Sequence, residues 1–111
     1  FADARQLIDS GWAVALSTDY NPGSAPCPSQ PAAMAIACRY QKLLPAEALN
    51  AAAVNAAYAI GQGHRCGSID EGKRADLVVF GTKDYRDIAY EFGSNLTELV
   101  VKRGEIVYDE R

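Results

Sequence analysis

The sequence predicts an α/β fold in which one buried strand delivers an acid to a loop, alanine-rich helices follow, and a small sheet closes the chain. Three observations carry this expectation. The run Ala13-Val14-Ala15-Leu16 stops at Ser17-Thr18-Asp19 and opens into Asn21-Pro22-Gly23-Ser24. An apolar run without polar alternation suits a strand covered on both faces, as in a parallel sheet, and puts Asp19 at the strand's carboxyl end, where α/β folds place their chemistry. Residues 30–60 are rich in alanine and other helix formers, and the last third changes to short β-branched runs.

In chain order, residues 2–10 are good helix formers with Gly11 as the stop. The chain starts in mid-pattern at Phe1 with no cap visible before this helix, and it reads as a piece of something longer. Residues 21–28 hold three prolines and a glycine, which makes a rigid loop. Ser29 can cap a helix beginning at Gln30, with Pro31 tolerated in the first turn. That helix is expected to run to about Lys42, burying a stripe of Ala33, Ile36, Ala37, Tyr40 and Leu44. Pro45 and Glu47 restart a helix, and residues 48–60 read as its tightly packed continuation, ended by Gly61 and Gly63. Residues 77–80, 98–101 and 105–108 are expected strands. The last two flank Arg103-Gly104 in a hairpin, and one helical turn is expected near residues 88–92. Three strands with two open edges make a poor sheet in isolation, so partner strands from outside this segment are expected.

Composition narrows the function. Eleven basic and fourteen acidic side chains, interspersed, give a net charge of −3, so neither nucleic acid nor an anionic membrane is an expected partner. No apolar run approaches the roughly 20 residues of a membrane span, and the expected location is the cytoplasm. Cys27, Cys38 and Cys66 lack metal-ligand spacing and read as reduced, mostly packed thiols, with a reactive Cys27 in the Pro-rich loop as the alternative. The only histidine is His64, so no multi-histidine metal site can be assembled from this chain.

Three segments together carry a resemblance. Residues Ser17-Thr18-Asp19-Tyr20-Asn21-Pro22-Gly23-Ser24, with Ala35-Ile36-Ala37-Cys38-Arg39 downstream, resemble the last barrel strand and following helix of the imidazolonepropionases, a branch of the metal-dependent amidohydrolase superfamily. Gly72-Lys73-x-Ala75-Asp76 resembles the superfamily's C-terminal signature. Asp84-Tyr85-Arg86, Tyr90-Glu91-Phe92-Gly93 and Asn95 resemble the segment before the family's closing hairpin. The resemblance implies the C-terminal fragment of a TIM-like (β/α)8 barrel plus strands of a composite β-sandwich domain. Residues 1–63 would end the barrel and 64–111 would belong to the sandwich.

It also implies roles. Asp19 matches the acid after the last barrel strand, a contact of one zinc or iron ion and the catalytic proton carrier. Asn21, Gly23 and Ser24 match loop positions that touch the substrate, 4-imidazolone-5-propanoate, which is opened to N-formimidoyl-L-glutamate in histidine degradation. The remaining metal ligands belong to a missing N-terminal barrel of the same protein, so the fragment alone is expected to be inactive, and a homo-oligomer is left open. Beside these roles stand plain ones: Asp19 bracing the loop through nearby amides, Asn21, Gly23 and Ser24 as turn residues, His64 as an exposed loop residue, and Asp76 ordering a turn. Two other functions stay open, a sibling amidohydrolase acting on another cyclic amide or aminated ring, and a non-catalytic binding module.

Overall fold

The computed structural model describes all residues, Phe1–Arg111, in the order α1 (Ala4–Asp9), α2 (Gln30–Tyr40), α3 (Pro45–Ala52), α4 (Val54–Ala59), β1 (Leu77–Phe80), α5 (Asp87–Tyr90), β2 (Thr97–Lys102) and β3 (Glu105–Asp109). The helix ends follow local chemistry. Asp3 caps α1 by accepting from the Gln6 amide, a cap that sequence reading did not find. Gly11, at φ +90°, closes α1 in a Schellman motif: its amide reaches the Ile8 carbonyl at 2.9 Å and the Trp12 amide the Leu7 carbonyl at 3.0 Å. Gly61 ends α4 in the same way, with bonds from Gly61 to Tyr58 and from Gln62 to Ala57. Ser29 caps α2 by accepting from the Ala32 amide. At α3, Leu44 has no side-chain acceptor, and Glu47 supplies half of a capping box by accepting the Leu44 amide at 2.8 Å.

Two expectations about the helices need correction. The continuous helix expected through residue 60 breaks at Ala53, whose φ of −117° and ψ of −86° lie outside the helical region. The buried face of α2 is Met34, Ala35 and Ala37, while Ile36, Tyr40 and Leu44 of the expected stripe are exposed. Alanine on every side of α2 makes more than one face equally able to approach a neighbour, so spacing alone does not select the face.

The core is small and built across the chain. Ala4, Met34, Ala37, Leu43, Ala48, Ile88 and Ala89 form one buried cluster, with Val14, Leu16 and Phe80 packed against it. Lys42, in the left-handed region at φ +57°, turns the chain so that Leu43 enters this cluster. A two-pronged ion pair from Arg5 to Glu47, at 2.7 and 2.8 Å, ties α1 to α3. Arg39 ties α2 to α5, donating to the carbonyls of Ala89 and Tyr90 with its guanidinium over the Phe92 ring.

The three strands lie where the sequence predicts them, antiparallel in the order β1-β2-β3. Arg103 and Gly104 both have positive φ, as a two-residue primed hairpin turn requires. Asp76 accepts the Arg103 amide at 2.9 Å and so orders that turn, with Arg74 at 3.2 Å. Val78, Val79, Ile106 and Val107 remain exposed on the sheet. No helix is long and apolar enough to cross a membrane.

The segment expected as a strand covered on both faces, residues 13–18, pairs with no strand of this chain. It keeps the alternation of an extended chain: Val14, Leu16 and Thr18 are half-buried, while Ala13, Ala15 and Ser17 are exposed. Burial on both sides would require a neighbouring layer, and this chain places only helices there, on the even-numbered side.

Candidate active site

Asp19 continues that alternation and is exposed on the same open face as Ala15 and Ser17. Its φ of +49° lies in the left-handed region, which Asp tolerates better than most side chains, and the kink ends the extended segment and starts the loop. Its carbonyl accepts from the Asn21 side-chain amide at 2.7 Å, and its carboxylate has no partner within the chain.

The loop is braced by Asn21 rather than by Asp19. Oδ1 of Asn21 accepts from the amides of Gly23 (3.0 Å) and Ser24 (2.8 Å) and from the Ser24 hydroxyl (3.3 Å), while the Asn21 backbone N–H donates to the Ala25 carbonyl at 3.0 Å. One Nδ2 hydrogen is left for another acceptor. A side-chain carbon at Gly23 would sit 3.4 Å from Asn21 Oδ1, an ordinary van der Waals contact. The bracing role considered for Asp19 therefore falls to its neighbour, and the Asp19 carboxylate is left unengaged.

A groove of about 690 Å³ is lined among others by Asp19, Ser24 and Cys27 from the extended segment and loop and by Ala33 and Ile36 from α2. Of the predicted site residues, Asp19 and Ser24 line the groove, whereas Asn21 and Gly23 stand in the loop beside it. Cys27 is exposed; Cys38 and Cys66 are half-buried, and burial pushes the Cys38 thiol up. His64 is exposed and accepts from Arg65 Nε at 3.1 Å.

No three His, Cys, Asp or Glu side chains converge in this chain. Zinc takes three or four protein ligands, so these residues cannot complete a site, but the unengaged Asp19 carboxylate suits the part of a single donor.

Sequence reading missed the residues that hold the acid-bearing segment. Gln30 Nε2 donates to the Leu16 carbonyl at 2.9 Å, Asn55 Nδ2 to the Val14 carbonyl at 3.0 Å, and the Leu16 amide to the Ala51 carbonyl at 2.9 Å. No local motif announces bonds between residues so far apart in the chain.

The amidohydrolase family model matches residues 1–107. A crystal structure of an amidohydrolase from Thermotoga maritima MSB8 superposes with a TM-score of 0.75 at 28% identity, covering 95% of this chain and 25% of that one. The chain belongs to the amidohydrolase family. Among curated relatives, it is 53% identical over 109 residues to an imidazolonepropionase of Geobacillus thermodenitrificans (strain NG80-2), covering 98% of this chain and 26% of that protein. To an imidazolonepropionase of Chloroflexus aggregans (strain MD-66 / DSM 9485) it is 56% identical over 107 residues, 96% of this chain and 25% of that protein. The chain thus spans about a quarter of the length of the curated relatives it matches.

Proposed function

We propose that this chain forms the C-terminal part of an imidazolonepropionase, a cytoplasmic enzyme of histidine degradation that hydrolyses 4-imidazolone-5-propanoate to N-formimidoyl-L-glutamate. The observation that carries the proposal is the unengaged Asp19 carboxylate, held at the end of an extended segment on an open groove, in a chain about half identical to imidazolonepropionases over nearly its whole length. Residues 1–63 close the barrel, and residues 64–111 belong to the small β-sandwich domain.

Asp19, with donors from the rest of the protein, would hold a zinc or iron ion, which when bound would supply electrophilic activation of water and of the ring carbonyl. Asp19 takes a proton from the attacking water at a carboxylate oxygen and delivers it to the ring nitrogen as the C–N bond opens. The Ser24 hydroxyl meets the substrate in the groove, Asn21 offers its spare amide hydrogen, and Gly23 allows close approach of backbone. The N-terminal barrel is the required partner, with a homo-oligomer as a further expectation. The 111-residue chain alone is inactive because it carries one donor of the set.

The test replaces the matching quarter of the Geobacillus thermodenitrificans enzyme with this chain and follows loss of 4-imidazolone-5-propanoate. Turnover by the chimera, with none by the chain alone, supports the proposal. A folded chimera that turns over a purine or pyrimidine and leaves imidazolonepropanoate untouched assigns the loop to another amidohydrolase and overturns it.

A further inference from the structure

We propose that Gln30 and Asn55 are positioning residues for Asp19, gripping the extended segment from two helices so that its last residue is held at a fixed height over the groove. In an extended chain, the N–H and C=O groups of alternate residues point to the same edge. The Val14 carbonyl and the Leu16 amide and carbonyl share one edge. Asn55 at the start of α4, Ala51 at the end of α3 and Gln30 at the start of α2 take up these groups in turn. The backbone groups of Ala13, Ala15 and Ser17, on the opposite edge, make no hydrogen bond within the chain. Within this chain, position is therefore imposed from the helix side.

Two features make these side chains specific to the task. Both are half-buried amides, and each uses an N–H on a carbonyl three to five residues before Asp19. A carbonyl has two lone pairs, so each bond leaves room for a neighbouring strand on the same oxygen. The distance from the lower grip to Asp19 is short, and beyond Leu16 the next anchor is the Asn21 bond to the Asp19 carbonyl. Loosening the grip lets the carboxylate drift, and displacement by about 1 Å can cost a reaction on the order of a hundredfold.

The inference rests on the proposed hydrolase reading for its catalytic consequence, and two measurements separate them. Gln30→Glu and Asn55→Asp remove the donor at nearly the same volume, and both positions lie in the first turn of a helix, where a carboxylate favours the dipole, so neither change opposes helix formation. In the 111-residue chain, the Leu16 amide should exchange with solvent at least about tenfold faster in each variant, with Val100 of the sheet unchanged. Leu16 exchange at the unsubstituted rate in both variants overturns the inference. In the chimera described above, each variant should lower kcat about tenfold with KM within about twofold. Unchanged kcat in a folded chimera also overturns it. If the unsubstituted chimera is inactive, the hydrolase reading fails and the Leu16 exchange rates alone decide the positioning claim.

Discussion

Asn21 clasps Asp19 by its backbone: the side-chain amide donates to the Asp19 carbonyl at 2.7 Å while the carboxylate of Asp19 stays unpaired. The same Asn21 side chain receives the Gly23 and Ser24 amides, so one residue sets the loop and the acid together. Asn21→Ala removes both functions, whereas Asn21→Asp keeps an acceptor for the two amides and loses the donor. In the chimera, Asn21→Ala should lower kcat/KM by about tenfold and Asn21→Asp by less. Because these bonds are exposed, urea unfolding should shift by only about 1 kcal/mol.

The Arg5 to Glu47 ion pair gives the fold a defined response to acid. The Arg5 guanidinium, and next the Leu44 amide, hold the Glu47 carboxyl below its ordinary value of 4.5. A depressed folded value means that the stabilisation is present above pH 4.5 and is lost as pH falls through the folded value. Asp76 beside the Arg103 amide, Asp84 held to about 2 by Arg86, and Asp109 beside Arg111 act in the same direction. The melting temperature should therefore fall on acidification below pH 4.5. Glu47→Gln should lower it at pH 7 and make the acid fall shallower.

Gly67 and Gly72 both have positive φ, at +95° and +86°, but their surroundings differ. A side-chain carbon at Gly67 would sit 2.6 Å from Ala57 Cβ and 3.1 Å from the Ala53 carbonyl, whereas Gly72 faces open space. Gly72→Ala should cost about 1–2 kcal/mol from backbone conformation alone. Gly67→Ala adds overpacking of about 1–3 kcal/mol, and paired urea titrations should show it as the more damaging change.

Ile88 is the larger of the two buried side chains that residues 64–111 contribute to the core, 7% exposed. Ile88→Ala should cost about 2–5 kcal/mol, measured by denaturant unfolding. It should also release α5 from α2, visible as faster amide exchange at Tyr90 and Glu91, whose amides bond within that turn.

The sheet was legible in the sequence because β-branched runs and the Arg103-Gly104 pair are local signals, and the strands fall within a residue of expectation. The Ser29 cap with Pro31 was equally local. The buried face of α2 was not, because Met34 and Ile36 compete on a helix where alanine fills every side. The break at Ala53 has no glycine or proline to mark it. At the site, an apolar run ending at an acid marks where Asp19 stands, but that pattern alone favours turn bracing, and the role proposed for Asp19 rests on the family resemblance. The grips from Gln30 and Asn55 depend on how helices fold back onto residues 14–16, which no local pattern encodes.

The central claim is that Asp19 is the proton-carrying and metal-contacting acid of a hydrolase site. The most direct measurement compares the chimera carrying this chain with its Asp19→Asn variant in turnover of 4-imidazolone-5-propanoate at saturating metal, with circular dichroism as the check on folding. Asp19→Asn should lower kcat by about 10²–10⁴-fold in a variant that folds like the parent. A folded Asp19→Asn chimera that turns over the substrate at the parental rate would contradict it.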